Sequence, residues 1–245
     1  MIPLVEFARV SYTIGQKSIL RGLSFSLQPG ETLVLLGRSG SGKTTALKMI
    51  NALIHPTSGE VRVEGKATTD WDPVRLKRRI GYVIQDTGLF PHFTVAENIG
   101  LVPKLEGWKP EAIEKRVGEL LDQLQLTPAR DFAHRYPREL SGGQRQRVGV
   151  ARALAIDPPL LLYDEPFGAL DPVTRVEAQR QFLALRERLG KTAVFVTHDV
   201  REALLVATRI GLLREGALEL LTTPQDFLRA QGSEVEAFLQ CVGDR

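Results

Sequence analysis

The chain has 245 residues, of which 43% are hydrophobic and 25% are charged, values typical of a folded globular protein. Its net charge of +3 is too small to indicate a nucleic-acid partner. No apolar run reaches the roughly 18 residues that a membrane span needs, and the first residues are not a basic stretch followed by an apolar one. We therefore expect the polypeptide to stay in the cytoplasm, and the single cysteine, Cys241, which excludes an internal disulfide, fits a reducing compartment.

The N-terminal part is predicted to contain half-buried antiparallel strands, followed by a buried strand and a helix. The alternating apolar residues of the first two strands are Val10, Tyr12 and Ile14, then Leu23, Phe25 and Leu27. A turn at residues 29–30 leads into the buried strand, residues 33–36. Apolar residues at helical spacing then predict a helix that ends at residues 56–59; they are Ala46, Leu47, Ile50, Leu53 and Ile54. Another short strand begins at Val61 and Val63.

A helical subdomain is predicted from about residue 86 to residue 157. Its first helix carries an apolar stripe formed by Ile113, Val117, Leu120, Leu121 and Leu124. A second helix is predicted from Ser141 to Ala155. Because strands and sheet-covering helices are predicted on both sides, we interpret this region as an insertion.

The remainder predicts a parallel sheet with covering helices. Strands at residues 160–163 and 193–196 alternate with a helix that begins at Pro172. Residues 210–213 and 217–221 form a predicted hairpin, and a short helix follows. The sequence therefore predicts an α/β fold that is a single domain over residues 1–245, with the helical subdomain 86–157 inserted within it.

Residues 37–44, with the sequence GRSGSGKT, match the phosphate-loop pattern between a predicted strand and a predicted helix. Glycines let successive backbone N–H groups point at a triphosphate, and the start of the helix adds the positive end of its dipole. Lys43 is predicted to bridge the β- and γ-phosphates of ATP, and Thr44 to ligate Mg²⁺. The alternative is a flexible glycine and serine turn. The candidate nucleotide-binding residues here are Gly37, Ser39, Gly40, Ser41, Gly42, Lys43, Thr44 and Thr45.

Two carboxylates, Asp164 and Glu165, follow the apolar strand at residues 160–163. At a phosphate site, Asp164 is predicted to hold Mg²⁺ directly or through water. Glu165 is then placed to polarise the attacking water, since hydrolysis mostly needs positioning once the phosphate charge is neutralised. An exposed acid at a strand end is the alternative.

Residues 140–144, with the sequence LSGGQ, resemble the signature of the ABC (ATP-binding cassette) ATPases. Ser141 and the amides of Gly142 and Gly143 offer hydrogen-bond donors where the next helix begins, and Gln144 completes the motif. A simple N-cap followed by a turn is the alternative. Together with the other motifs, the resemblance covers about residues 2–225 and implies a P-loop NTPase core with an antiparallel β subdomain and a helical subdomain.

The resemblance also implies roles for four further residues. Tyr12 matches the aromatic residue that stacks on adenine, although an inward-facing strand residue is the alternative. Gln85 matches the glutamine that contacts Mg²⁺ and the lytic water. Asp171 matches a residue near the partner's phosphate loop. His198 matches the histidine that bonds the γ-phosphate and orients Glu165, although a lone histidine at a strand end is more often a surface residue.

In this family the signature of one subunit closes on the phosphate loop of another, so the resemblance implies a head-to-tail homodimer with two ATP molecules at its interface. The segment 85–99 carries large apolar residues, for which packing inside the helical subdomain is one explanation. The resemblance to importers of this family implies the other, that separate transmembrane permease subunits dock on this segment. We therefore expect a peripheral protein at the cytoplasmic face of the cell membrane, together with an extracytoplasmic substrate-binding protein and without nucleic acid.

A narrower resemblance connects the chain to the ATPase subunits of osmoprotectant importers for glycine betaine, choline, carnitine or proline. It rests on residues 97–99, residues 101–105 and the pair Gly107 and Trp108. Many members of that subgroup continue into regulatory domains, whereas this chain ends at Arg245, which puts osmotic gating through such domains in doubt. The alternatives are the same ATPase for another cargo, a soluble ABC ATPase acting on nucleic acid or ribosomes, and a regulator that does not hydrolyse ATP.

Overall fold

The computed structural model describes residues 2–85 and 88–243. The predicted start of the helical subdomain, Asp86, and the last residue, Arg245, lie outside the described residues. The strands are β1 (Val5–Ile14), β2 (Lys17–Leu27), β3 (Thr32–Leu36), β4 (Ser58–Val63), β5 (Lys66–Ala67), β6 (Ile80–Val83), β7 (Leu160–Asp164), β8 (Thr192–Thr197), β9 (Arg209–Arg214) and β10 (Ala217–Thr222). The α-helices are α1 (Lys43–Ile50), α2 (Pro73–Arg79), α3 (Val95–Leu105), α4 (Pro110–Gln123), α5 (Ala129–Ala133), α6 (Gly142–Leu154), α7 (Pro172–Leu189), α8 (Val200–Val206), α9 (Pro224–Phe227) and α10 (Ser233–Gly243).

Contacts along the chain divide it into two compact units. The first unit contains the described residues up to Lys77 and from Gly190 onward, and the second runs from Arg78 to Leu189. The boundaries 86–157 for the helical subdomain stay a prediction.

The first unit contains an antiparallel sheet with the strand order β2-β1-β4-β5. Tyr12 pairs with Leu20, and Phe7 pairs with Phe25, whose ring stacks on that of Phe7 at a centroid distance of 4.4 Å. The stacked rings are buried, as expected where alternate residues of a strand face a core. The predicted antiparallel strands are confirmed.

The same unit contains a second group of strands that carries the phosphate loop. β3 is parallel to both β8 and β9, and β10 is antiparallel to β9. All residues of β3 and β8 are buried, as expected of parallel strands covered on both faces. The predicted hairpin is confirmed as β9 and β10.

The helix after the phosphate loop is shorter than the apolar spacing predicts. α1 ends at Ile50, and Ala52 adopts a left-handed backbone with φ 53°. The side chain of Leu53 is 50% exposed. The prediction that the helix includes Leu53 and Ile54 is therefore wrong, because the left-handed residue ends the helix although the apolar spacing continues.

The second unit places a parallel strand pair, β6 and β7, among helices. Tyr82 pairs with Leu162 in this pair. α4 buries three residues of the predicted stripe, Val117, Leu120 and Leu121. α6 begins directly after Ser141, and α7 begins at Pro172, both as predicted. Within residues 2–85 and 88–243, no helix combines the length and the apolar character that crossing a bilayer requires.

Candidate functional site

The phosphate loop leaves the buried strand β3 and closes on its own lysine. Lys43, the first residue of α1, is only 4% exposed. Its Nζ donates hydrogen bonds to the carbonyl oxygens of Gly37 at 2.7 Å and Arg38 at 2.9 Å. The loop therefore surrounds a buried positive charge at a helix N-terminus, an arrangement that suits an anion.

Glycine is required at two positions of this loop by close approach of neighbouring atoms. A Cβ at Gly37 would lie 2.3 Å from the carbonyl oxygen of Leu213 and 2.7 Å from Ser41 Oγ. At Gly42 the backbone has φ +99°, and a Cβ would lie 2.6 Å from Cδ2 of Leu20. Any larger residue at either position would displace the loop.

Ser41 provides the sharpest sign that the loop is built for a ligand. Its side chain is buried, and its Oγ has no hydrogen-bond partner in the described part of the chain. An unsatisfied buried hydroxyl costs about 1–3 kcal/mol, so such a group calls for an explanation. A phosphate oxygen would accept a hydrogen bond from this hydroxyl and would also be attracted to Lys43.

Strand register brings His198 to the edge of the sheet that carries the phosphate loop. Leu36 pairs with Thr197 in the parallel pair of β3 and β8, so Gly37 and His198 both follow immediately after paired residues. His198 is exposed. Tyr12 is half-buried and pairs with Leu20, whose side chain approaches Gly42. The first unit therefore contains the predicted phosphate, adenine and histidine residues.

The chain around His198 is supported by a buried carboxylate that the sequence analysis missed. Thr197 Oγ1 donates to Glu202 Oε2 at 2.6 Å and accepts from the backbone N–H of Asp199 at 3.0 Å. Glu202 is only 4% exposed. The sequence offered one signal for this buried carboxylate: Glu202 comes three residues after Asp199, on a helix that is otherwise largely apolar.

The second unit contains the two predicted carboxylates. Asp164 ends β7 and is 9% exposed, and the hydroxyl of Tyr82 donates to its Oδ2 at 3.2 Å. Burial, together with the neighbouring negative charge of Asp164, raises the pKa of Tyr82. Glu165 follows with a left-handed backbone, φ 46°, and is half-buried. Its carbonyl oxygen accepts from the N–H of Gly168 at 3.1 Å, which closes a turn.

Gln85 lies near Glu165 in this unit. A Cβ built on Gly168 would lie 3.7 Å from both Gln85 Nε2 and Glu165 Oε2, so the amide and the carboxylate face the same glycine. The next described residue after Gln85 is Gly88, whose carbonyl oxygen accepts from Arg152 Nη1 at 2.6 Å. Burial lowers the pKa of this guanidinium. α6 therefore holds the chain at Gly88.

The signature residues begin α6 and lie beside the start of α7. Ser141 Oγ accepts from the N–H of Gln144 at 3.3 Å, and Gln144 Oε1 accepts from the N–H of Ser141 at 2.9 Å. Ser141 and Gln144 thus form a capping box, so the N-cap interpretation also holds for this segment. A Cβ at Gly143 would lie 2.7 Å from Cγ2 of Thr174, which restricts this contact to glycine.

Asp171 caps α7 next to the signature. Its Oδ1 accepts from the backbone N–H groups of Val173 and Thr174, at 3.2 and 3.1 Å. Hydrogen bonds from the side chain and then the backbone of Thr174 hold the pKa of Asp171 below its usual value. Since Thr174 also contacts Gly143, the structure brings the signature and the Asp171 segment together.

A family model described as "ABC transporter" matches residues 20–168, which contain the phosphate loop, Gln85, the signature and both carboxylates. The chain belongs to the ABC transporter family. Tyr12, Asp171 and His198 lie outside the matched residues. The predicted roles of the individual site residues stay predictions.

Several curated relatives of this ABC transporter chain are named for osmoprotectant uptake, and others for sulfate/thiosulfate import. It is 48% identical over 240 residues to the glycine betaine/carnitine/choline transport ATP-binding protein OpuCA of Bacillus subtilis, covering 98% of this chain and 62% of the relative. It is 50% identical over 212 residues to the osmoprotectant import ATP-binding protein OsmV of Salmonella typhimurium, covering 86% and 55%. The chain thus spans little more than half of the length of these relatives.

Among solved structures, the dimeric ATP-binding cassette MJ0796 in a post-hydrolysis state with ADP and Pi matches with a TM-score of 0.78. The two sequences are 36% identical, and the match covers 90% of this chain and 98% of the cassette. The predicted α/β fold of an ABC ATPase, with its antiparallel β subdomain and its helices, is therefore confirmed.

Proposed function

We propose that this chain is the ATP-binding and ATP-hydrolysing subunit of an importer that takes up a quaternary-amine osmoprotectant such as glycine betaine or choline. The observation that carries the ATP site is the phosphate loop, with its buried Lys43 ammonium and a buried Ser41 hydroxyl that has no hydrogen-bond partner among the described residues. The cargo is supported by the names of OpuCA and OsmV, which are 48% and 50% identical to this chain, compared with 42% for relatives named for sulfate/thiosulfate import.

The triphosphate is held by the phosphate loop. Lys43 reaches the β- and γ-phosphates, exchanging its hydrogen bonds to loop carbonyls for charged oxygens. The remaining loop ligands are Gly37, Ser39, Gly40, Ser41, Gly42, Thr44 and Thr45. Tyr12 stacks on adenine, which suits a half-buried aromatic ring on the strand beside Leu20.

Mg²⁺ is proposed to accompany the bound ATP. Within the described residues no group of three or more His, Cys, Asp or Glu side chains could hold a metal ion. Mg²⁺ is typically held by one or two carboxylates together with substrate phosphates, and Asp164, Thr44 and Gln85 supply such a limited oxygen set. When bound, the ion neutralises charge on the phosphate oxygens.

Hydrolysis depends on Glu165 and His198. Glu165 accepts a proton from the attacking water, and its left-handed backbone directs the carboxylate toward the turn that also faces Gln85. His198 contacts the γ-phosphate and orients Glu165. Its position beside the phosphate loop in the strand register supports the first of these roles.

We further propose a head-to-tail homodimer in which Ser141, Gly142, Gly143 and Gln144 complete the partner's ATP site, with Asp171 at the subunit boundary. The grouping of the signature with Asp171 and the dimeric state of MJ0796 support this arrangement. Separate permease subunits, an extracytoplasmic substrate-binding protein and a position at the cytoplasmic face of the membrane complete the proposal. No nucleic acid takes part.

The decisive variant for the ATPase is Glu165→Gln, with Glu111→Gln as a matched control because Glu111 is an exposed acid of the same unit. Phosphate release and binding of a fluorescent ATP analogue are measured on both. We expect Glu165→Gln to bind Mg-ATP normally and to hydrolyse it at least ~100-fold more slowly, because only the general base is lost. Near wild-type turnover in Glu165→Gln would contradict the role of Glu165.

The cargo is tested by purifying the chain from a mild detergent extract and identifying the proteins that accompany it. Vesicles containing the recovered complex are then assayed for ATP-dependent uptake of glycine betaine, choline and, for comparison, an unrelated amino acid. Recovery of a permease and uptake of the quaternary amines are expected. Recovery of ribosomal or DNA-repair proteins instead would refute the importer.

A further inference from the structure

Tyr82 connects the strand that leads to Gln85 with the carboxylate that ends the neighbouring strand. In the parallel pair of β6 and β7, Tyr82 lies opposite Leu162. Asp164 is two residues beyond Leu162, and residues two apart on a strand share a face. The tyrosine side chain is long enough to cover this offset, and its hydroxyl donates to Asp164 Oδ2 at 3.2 Å.

The hydrogen bond between Tyr82 and Asp164 lies in a largely buried environment, so it has a large effect on the orientation of the carboxylate. Asp164 is 9% exposed, and Tyr82 is half-buried. A buried carboxylate that accepts a hydrogen bond on one oxygen loses rotational freedom about its Cβ–Cγ bond, so the direction of its other oxygen is also set. Hydrogen bonds of this kind, made to a ligating carboxylate, orient it toward a metal ion.

We propose that Tyr82 is a positioning residue that orients the Asp164 carboxylate for Mg²⁺ when ATP is bound. This inference rests on the proposed function, since it concerns the same site. Because Gln85 is three residues after Tyr82, the hydroxyl also links the strand that leads to Gln85 with Asp164. Tyr82 itself contacts neither nucleotide nor metal.

The test compares two variants, Tyr82→Phe and Tyr163→Phe, because Tyr163 lies on the strand next to that of Tyr82. Tyr163 is a buried tyrosine whose ring packs edge-on against Phe182 at 5.1 Å, so both variants remove one hydroxyl from the same strand pair and keep the ring. Binding of a fluorescent ATP analogue is titrated with Mg²⁺ and, separately, in EDTA. The ATPase rate as a function of Mg²⁺ concentration gives a second readout.

In Tyr82→Phe we expect the Mg²⁺ concentration for half-maximal binding and hydrolysis to rise by roughly tenfold, the range found for partners of metal ligands. Affinity in EDTA should stay within about twofold of wild type, because the phosphate loop is untouched. Tyr163→Phe should match wild type in all three measurements. Thermal melting of both variants verifies that they remain folded.

Two results would overturn the Tyr82 inference alone. An unchanged Mg²⁺ dependence in Tyr82→Phe would show that the hydroxyl does not orient Asp164 for the ion. An equal loss of affinity with Mg²⁺ and in EDTA would assign Tyr82 a general structural role instead. Wild-type protein that binds ATP without any dependence on Mg²⁺ would refute the proposed metal site as well, which separates the failure of that proposal from the failure of the Tyr82 inference.

Discussion

Replacing Gly37 with alanine tests whether close packing behind the phosphate loop determines its shape. The added Cβ would lie 2.3 Å from the carbonyl oxygen of Leu213, whereas ordinary van der Waals contacts begin at 3.4 Å. Leu36 pairs with Leu212, so the two residues that would clash, Gly37 and Leu213, each come directly after a paired strand residue. Relief therefore requires the ends of β3 and β9 to separate, or the loop to move.

The cost follows from these distances. Overpacking of a filled interior typically costs about 1–3 kcal/mol, and the clash here involves backbone on both sides, so we expect about 2 kcal/mol. For a chain of this size such a loss lowers Tm by roughly 4–8 °C. A displaced loop also moves the Gly37 carbonyl away from Lys43, which it contacts at 2.7 Å. We therefore expect ATP affinity to fall at least about tenfold.

Gly118 provides the matched control for this substitution. It lies inside α4, and a Cβ built on it meets nothing within 4 Å. Gly118→Ala should raise stability by about 0.5–1 kcal/mol, because alanine loses less backbone freedom in a helix. Tm by calorimetry and binding of a fluorescent ATP analogue are measured for both variants. Wild-type Tm together with wild-type affinity in Gly37→Ala would refute the packing argument.

Two further predictions concern the carboxylates Glu234 and Glu97. Glu234→Ala removes the 2.7 Å ion pair between Glu234, whose side chain is 8% exposed, and Arg38, whose side chain is 68% exposed. Because water screens the exposed guanidinium, we expect the free energy of unfolding to fall by only about 1 kcal/mol, and by less at high salt, measured as Tm in low and high salt. Hydrogen bonds from the backbone and then the side chain of Thr94 lower the pKa of Glu97 in the folded protein. The ionised carboxylate therefore stabilises the fold above the pKa that Glu97 has in the unfolded chain, and this stabilisation is lost as the pH falls through the folded pKa. Glu97→Gln should therefore show a flatter dependence of the urea midpoint on pH below about pH 4.5 than wild type, and parallel curves would contradict this.

Local sequence patterns determined much of this fold. The apolar run at residues 33–36 became a fully buried strand, and the glycine pattern after it became a loop around Lys43. Both features depend on residues that are adjacent in the chain, so a short window contains the necessary information. The end of α1 could not be predicted in this way, because the apolar spacing continues through Leu53 while the left-handed backbone of Ala52 ends the helix.

The parts of the site that sequence reasoning missed depend on contacts between distant residues. Tyr82 and Asp164 are 82 residues apart, and only the register of β6 and β7 brings the hydroxyl to the carboxylate. Gln144 illustrates the opposite case, since its side chain completes a local capping box with Ser141. A motif therefore identifies which residues matter, whereas the structure assigns each side chain its hydrogen bonds.

The left-handed backbone at Glu165 makes the positions of the two carboxylates, Asp164 and Glu165, depend on each other. A left-handed conformation at a residue other than glycine costs about 1 kcal/mol or more, and it persists only where the surroundings enforce it. Here the preceding residue, Asp164, is buried and bonded by Tyr82, and the following turn is closed by the N–H of Gly168. Because regular alternation along β7 is broken at this point, the Glu165 carboxylate comes to lie beside the turn that Gln85 also faces. The hydrogen bond from Tyr82 therefore supports the geometry of both acids, although it contacts only one of them.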